Sequence, residues 1–256
     1  MVLNNVLNQI INTKNYNNIL QNIAKYSTAK QNVTFIAVTK KQTTQAIEAL
    51  IKLGHINFGE NKVDEALEKF TPLKQKYPYI VLHLIGPLQT NKVKKALGLF
   101  DVFHIIDRPS LIDEIAKHQH NFAQKQYLIQ VNIGEEPQKS GCNLNELGSN
   151  KPHTNILVMQ GSAETQMGFE ICSQNNAEYE KFNIINYCNS KNIYPSGLMC
   201  ILPINHQNTA AYFGLTKMCA MQNNLPFVSM GMSADYTTAL QLGSTHIRIG
   251  SLLFAP

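Results

Sequence analysis

Lys40 closes the run Phe35-Ile36-Ala37-Val38-Thr39-Lys40, an apolar strand pattern that ends in a single amine. In parallel α/β proteins the carboxyl ends of the strands are where chemistry is done. A primary amine placed there, and kept partly unprotonated by desolvation, can form an imine with an aldehyde. The last fifth of the chain offers a matching receptor. It contains Ser229-Met230-Gly231-Met232-Ser233 opening a helix, then Arg248-Ile249-Gly250-Ser251 after a further strand. Small hydroxyl and glycine residues at helix starts cradle a phosphate with backbone N–H groups. An amine facing a phosphate cup suits a ligand that is both an aldehyde and a phosphate ester, and pyridoxal 5'-phosphate (PLP) has that chemistry.

Other residues carry weaker signals, each with a plainer alternative. Asn61, in Phe58-Gly59-Glu60-Asn61, ends the second strand and can donate its amide to a ring oxygen; taken alone it reads better as the N-cap of the next helix. His83 is a lone histidine in Leu82-His83-Leu84-Ile85-Gly86, which favours a satisfied core residue over a catalyst. Thr90 or Asn91 is the expected cap of the following helix. Lys139, after the fifth strand, either reaches into the barrel mouth or is solvated. Arg248 always carries its proton, so against a pyridine nitrogen it would leave that nitrogen unprotonated; the alternative is an ordinary phosphate or carboxylate contact. No HExxH, GxSxG, P-loop or paired-carboxylate signature occurs, so no metal and no catalytic residue is assigned.

The elements that must position these residues follow from periodicity. Apolar, β-rich runs begin near Phe35, Ile56, Tyr79, Phe100, Tyr127, Pro195, Phe227 and Thr245. Helical patterns fill Thr43–Leu53, Lys62–Lys76, Pro109–His120, Tyr179–Lys191 and Thr209–Gln222, and Val2–Tyr26 reads as an extra helix ahead of the first strand. Eight strands alternating with helices predict an α/β fold, a single (β/α)8 TIM barrel over residues 1–256. One interval breaks the rhythm. Cys142–Asn176, rich in Asn, Gln, Ser and Gly, reads as an insertion on the barrel rim, with a ninth strand at Asn155–Gln160 as the alternative.

Composition narrows the class. The chain has 256 residues, 44% of them hydrophobic, which suffices for one barrel with a sizeable core. The net charge of +5 is modest and its lysines are scattered, so no nucleic-acid partner is expected. Five cysteines without a CxxC pair argue against disulfides and zinc and for a reducing cytoplasm. No leader pattern and no long apolar run is visible, so no membrane association is expected. A monomer is expected.

Taken together, these segments resemble the YggS/PROSC family of pyridoxal phosphate homeostasis proteins. The matching stretches are Ala37–Lys40, Phe58–Asn61, His83–Lys92, Gln130–Gly141, Gly197–Met199, Ser229–Tyr236 and Arg248–Ser251, in the family's order. The resemblance implies a barrel like the N-terminal domain of alanine racemases (PLP fold type III), with Lys40 holding PLP as an internal aldimine. It implies a cofactor-binding set of Lys40, Asn61, Ser229, Met230, Ser233, Arg248, Gly250 and Ser251. Ser229, Ser233, Gly250 and Ser251 would hold the phosphate, with Arg248 near the pyridine nitrogen. It also implies a role in buffering PLP and delivering it to apo PLP-dependent enzymes, rather than committed turnover. Three departures stand out: Leu82 where the family usually has Trp, Phe254-Ala255-Pro256 where Phe-Gly is usual, and the long interval after the fifth strand.

The alternatives are an amino-acid racemase and a Schiff-base aldolase. Racemisation needs a base on each face of the substrate, and with Pro256 five residues after Ser251 no second domain is expected to supply one. An arginine at the pyridine nitrogen also weakens the ring as an electron sink. An aldolase would not need the serine stretch together with Arg248, and no acid partner for Lys40 stands out.

Overall fold

β-Branched, apolar strands that alternate with amphipathic helices form a parallel sheet, and closure is the arrangement that leaves such a sheet no edges. In the computed structural model, which describes residues 10–27, 32–147, 182–203 and 208–254, eight parallel strands close into a barrel in sequential order. They are β1 (Thr34–Val38), β2 (Asn57–Glu60), β3 (Val81–Leu84), β4 (Val102–Ile106), β5 (Gln126–Val131), β6 (Gly197–Cys200), β7 (Phe227–Ser229) and β8 (His246–Ile249). Each lies where the sequence places a strand. The barrel shuts through β1 and β8, with Ile36 opposite Arg248 and Ala37 opposite Ile249.

The helices are α1 (Thr13–Tyr26), α2 (Thr44–Lys52), α3 (Val63–Lys76), α4 (Val93–Leu99), α5 (Pro109–His118), α6 (Ile184–Ser190), α7 (Thr209–Gln222) and α8 (Tyr236–Gln241). They pack on the outer face of the barrel, where Phe58, Leu82, Leu84, Phe103 and Ile129 meet Ile47, Leu50, Phe70, Leu97 and Ile112 in one buried cluster. Leu82 is fully buried in that layer.

Three local expectations need correction. The helix expected over Val2–Tyr26 is interrupted in its described part: Ile10 is helical, Ile11 bridges to Phe254, and the helix resumes as α1 at Thr13, where the Asn12 side chain caps by accepting from the Asn15 N–H; Val2–Gln9 lie outside the described residues. Neither Thr90 nor Asn91 caps α4; Thr90–Lys92 form a 3-10 turn that leads into it without a side-chain cap. The rim insertion does not start at Cys142. That residue is laced to β5, its N–H donating to the Gln130 carbonyl at 2.9 Å and its carbonyl accepting from Asn132 N–H at 2.9 Å. Gly141, at φ +128°, makes the turn that brings the chain back against Asn132. The rest of the expected insertion, and the alternative strand at Asn155–Gln160, lie outside the described residues apart from Asn143–Leu147, where Leu144–Leu147 form a 3-10 turn. β5 pairs directly with β6.

Candidate active site at the carboxyl end of the barrel

Alternation assigns each strand residue to the barrel interior or to the helix layer. Gly59 has no side chain where Ile36 and Ile85 press in, and Gly250 abuts Val38; these residues and Arg248 therefore share the inner face. Thr39 points the other way, its hydroxyl donating to Glu60 at 2.7 Å outside the strands. Lys40 lies two residues past the end of β1, where strand alternation no longer sets its side. It is exposed in the turn after β1, at the open end of the barrel.

That turn is braced from behind. Lys69 on α3 donates to the Thr39 carbonyl at 2.8 Å and ion-pairs with Glu60 at 2.6 Å and Glu65 at 2.9 Å. Glu65 also accepts from the Lys41 N–H at 2.6 Å, holding Lys41 at φ +61°, a left-handed conformation uncommon for a side chain of this kind. Glu60 is fully buried, and its Oε2 has no hydrogen-bond partner among the described residues. Burial pushes its carboxyl above the ordinary value, while the hydrogen bonds from Lys69 and Thr39 pull it back.

Arg248 is the second centre. Its side chain is only 4% exposed, and its Nη1 and Nη2 donate to the Ser229 hydroxyl at 2.7 Å and the Cys200 carbonyl at 2.8 Å. Among the described residues no carboxylate ion-pairs with it. Burial pulls the guanidinium below its ordinary value, yet so strong a base keeps its proton at neutral pH. A buried cation with only neutral partners is costly, and such groups cluster at functional sites.

The remaining expected residues fall into place unevenly. The Arg248 N–H donates to the Gly231 carbonyl at 2.9 Å, which fixes the Gly231–Ser233 turn beside β8. Gly231 takes φ +94°, and a Cβ there would come within 2.6 Å of Ala239. Ser233 and Gly250 are half-buried and Ser251 is exposed, all at the same end of the barrel as Lys40. Asn61 is half-buried and does not cap α3, whose N-cap position is Lys62; Gly86 packs so closely that a Cβ would sit 2.5 Å from the Asn61 carbonyl oxygen. Met230 is fully buried in the apolar cluster.

Ser229 does not fit a phosphate-holding role. It is fully buried, and its hydroxyl is engaged by Arg248 and His104 inside the barrel. Lys139 neither reaches into the mouth nor stands free in solvent. It donates to the Leu202 carbonyl at 2.8 Å and ion-pairs with Glu136, tying the loops after β5 and β6 together.

Sequence reasoning missed His104, His246 and Asn57. His83 is not alone: its Nδ1 lies 3.0 Å from His104 Nε2, its Nε2 lies 3.1 Å from Asn57 Oδ1, and the His246 ring packs edge-on against both imidazoles. The signal was available, because all four are polar residues at inward positions of β2, β3, β4 and β8. Among the described residues, no group of three or more His, Cys, Asp or Glu is placed to hold a metal ion, and no helix is long and apolar enough to cross a membrane.

No family model matches the chain. It is 30% identical over 239 residues to the pyridoxal phosphate homeostasis protein of a Synechocystis species, covering 89% of this chain and 93% of that protein. The protein of the same name from Aquifex aeolicus is 32% identical over 234 residues, covering 86% and 85%. Among solved structures, PipY of Synechococcus elongatus, without PLP, is 26% identical with a TM-score of 0.68, covering 87% of this chain and 93% of PipY. The PLP-bound PipY structure is 25% identical with a TM-score of 0.65, covering 87% and 92%. An alanine racemase from Bartonella henselae shares the fold at 14% identity, TM-score 0.58, covering 92% of this chain and 56% of the racemase.

Proposed function

The chain belongs to the pyridoxal phosphate homeostasis protein family, and on that premise we propose that it binds PLP at the carboxyl end of its barrel and passes it to apo PLP-dependent enzymes without committed turnover. The observation that carries the reading is a buried, charged Arg248 with neutral partners, on the strand paired with the one that delivers Lys40. When bound, PLP supplies an aldehyde carbon that joins reversibly to an amine. Lys40 is the amine, aimed by the Thr39–Glu60–Lys69–Glu65 brace. Arg248 donates a proton it does not release, so a ring nitrogen facing it accepts and stays unprotonated. Ser233 and the backbone of Gly231–Ser233 and Gly250-Ser251 supply neutral donors for the phosphate. Asn61 would donate its side-chain amide to the cofactor's ring oxygen.

A racemase needs a base on each face of the substrate, and general acid–base groups typically contribute 10²–10⁴-fold each. The test is direct. PLP-loaded protein incubated with an apo-enzyme restores that enzyme's activity, while L-alanine followed by chiral chromatography yields at most traces of D-alanine. Racemisation at about 1 s⁻¹ or above, the lower end of the usual enzyme range, overturns the carrier reading in favour of the racemase.

A further inference from the structure

Inside the barrel, beneath the mouth, a line of hydrogen bonds crosses from β8 to β2. Arg248 Nη1 contacts Ser229 Oγ at 2.7 Å, and Ser229 Oγ lies 3.0 Å from His104 Nδ1. His104 Nε2 lies 3.0 Å from His83 Nδ1, and His83 Nε2 lies 3.1 Å from Asn57 Oδ1. The Arg248 end of this line fixes the direction of every link. A guanidinium only donates, so the Ser229 hydroxyl hydrogen must go to His104 Nδ1. That makes His104 the Nε2–H tautomer, which donates to His83 Nδ1. His83 is then also the Nε2–H tautomer and donates to the Asn57 amide oxygen. Reversing any link would leave the hydroxyl hydrogen of Ser229 without an acceptor in a fully buried position, which costs more than a hydrogen bond is worth.

We propose that Ser229, His104, His83 and Asn57 form a one-way hydrogen-bond relay that positions Arg248 for its ligand and locks both histidines as neutral Nε2–H tautomers. Burial drives both imidazoles well below their ordinary pKa, in keeping with neutral rings. His246 packs against both rings, and its Nδ1 is held by Thr245 at 2.8 Å, outside the line. The charged and titratable groups that act on the two rings all disfavour a second proton: His246, His55 and Lys74 on His83, and His83, His246 and Arg248 on His104, with no carboxylate hydrogen-bonded to either ring among the described residues. The relay is a positioning device. Held at both Nη1 and Nη2, the guanidinium cannot rotate, and its remaining N–H groups keep one direction.

The tautomers test the relay without any ligand, whereas its consequence for PLP rests on the function proposed above. Long-range ¹⁵N–¹H NMR of the labelled protein reads protonated Nε2 and bare Nδ1 at His83 and His104, unchanged from pH 8 to pH 5.5. In Ser229→Ala, both histidines lose the single tautomer, and Ser229→Thr restores it. Either ring found as the Nδ1–H form in the wild type, or a Ser229→Ala spectrum that leaves His83 and His104 unmoved, overturns the relay. Affinity measured for PLP and for phosphate-free pyridoxal then tests positioning. Ser229→Ala weakens both by about tenfold and Ser229→Thr recovers both. A loss confined to PLP places Ser229 on the phosphate and refutes the positioning role, and so does unchanged binding of both. A wild type that binds neither removes the proposed function while the tautomer result stands.

Discussion

On the function proposed above, Arg248 and Ser233 divide the work that the sequence assigned to a wider set of residues. Arg248 is buried among neutral acceptors and so offers a fixed positive charge, whereas Ser233, half-buried in the turn before α8, remains available as a donor. A hydrogen bond to a charged group is worth about 1.5–3 kcal/mol. Ser233→Ala therefore weakens PLP binding by about tenfold or more and leaves pyridoxal binding unchanged, as read by absorbance titration of both. Equal losses for the two ligands would move the phosphate away from Ser233. The same comparison explains why Ser229 was misread. In sequence it stands in the same serine-glycine stretch as Ser233, and only the strand register, which sets Ser229 opposite His246 on β8, reveals that its hydroxyl points into the barrel.

At the scale of elements, the sequence was most legible where periodicity and composition agree. All eight strands lie where apolar runs put them, because a strand buried on both faces leaves a continuous apolar pattern; the helix Thr209–Gln222 has the expected bounds, although its apolar residues are spread round it rather than gathered on one side. The brace behind Lys40 was not legible, since it joins β1, β2 and α3 through side chains that look like ordinary surface charges. Lys69 is nevertheless mostly buried, and Glu60 fully so. Breaking a buried ion pair from one side costs about 3–5 kcal/mol. Lys69→Met accordingly lowers unfolding stability in urea by about that amount. The double variant Lys69→Met with Glu60→Gln recovers most of it, because no uncompensated carboxylate remains. A Lys69→Met protein as stable as the wild type would show that Glu60 is neutral and the brace is not ionic.

For the whole molecule, buried imidazoles, His246 inside the barrel and His55 in the layer between strands and helices, carry a pH signature. Burial holds His55 and His246 at about 4, whereas an unfolded chain binds those protons near pH 6.5. Above that value both states are neutral and the contribution is flat. Below it the unfolded chain takes up protons that the native barrel refuses, so stability falls as pH falls, by up to about 1.4 kcal/mol per unit for each histidine. The urea midpoint should hold between pH 7 and 8 and drop steadily from pH 6 to 4.5; a midpoint constant across the acid range would contradict neutral interior histidines. The barrel exists, on this account, to bring one amine and one guanidinium together at the join of β1 and β8. The most direct measurement of that claim is borohydride reduction of PLP-loaded protein, followed by peptide mass analysis. The account predicts a PLP-sized mass increment on the peptide containing Lys40, at Lys40 and not at Lys41, and none in Lys40→Ala. A Lys40→Ala protein that still traps the cofactor covalently at another lysine would contradict it.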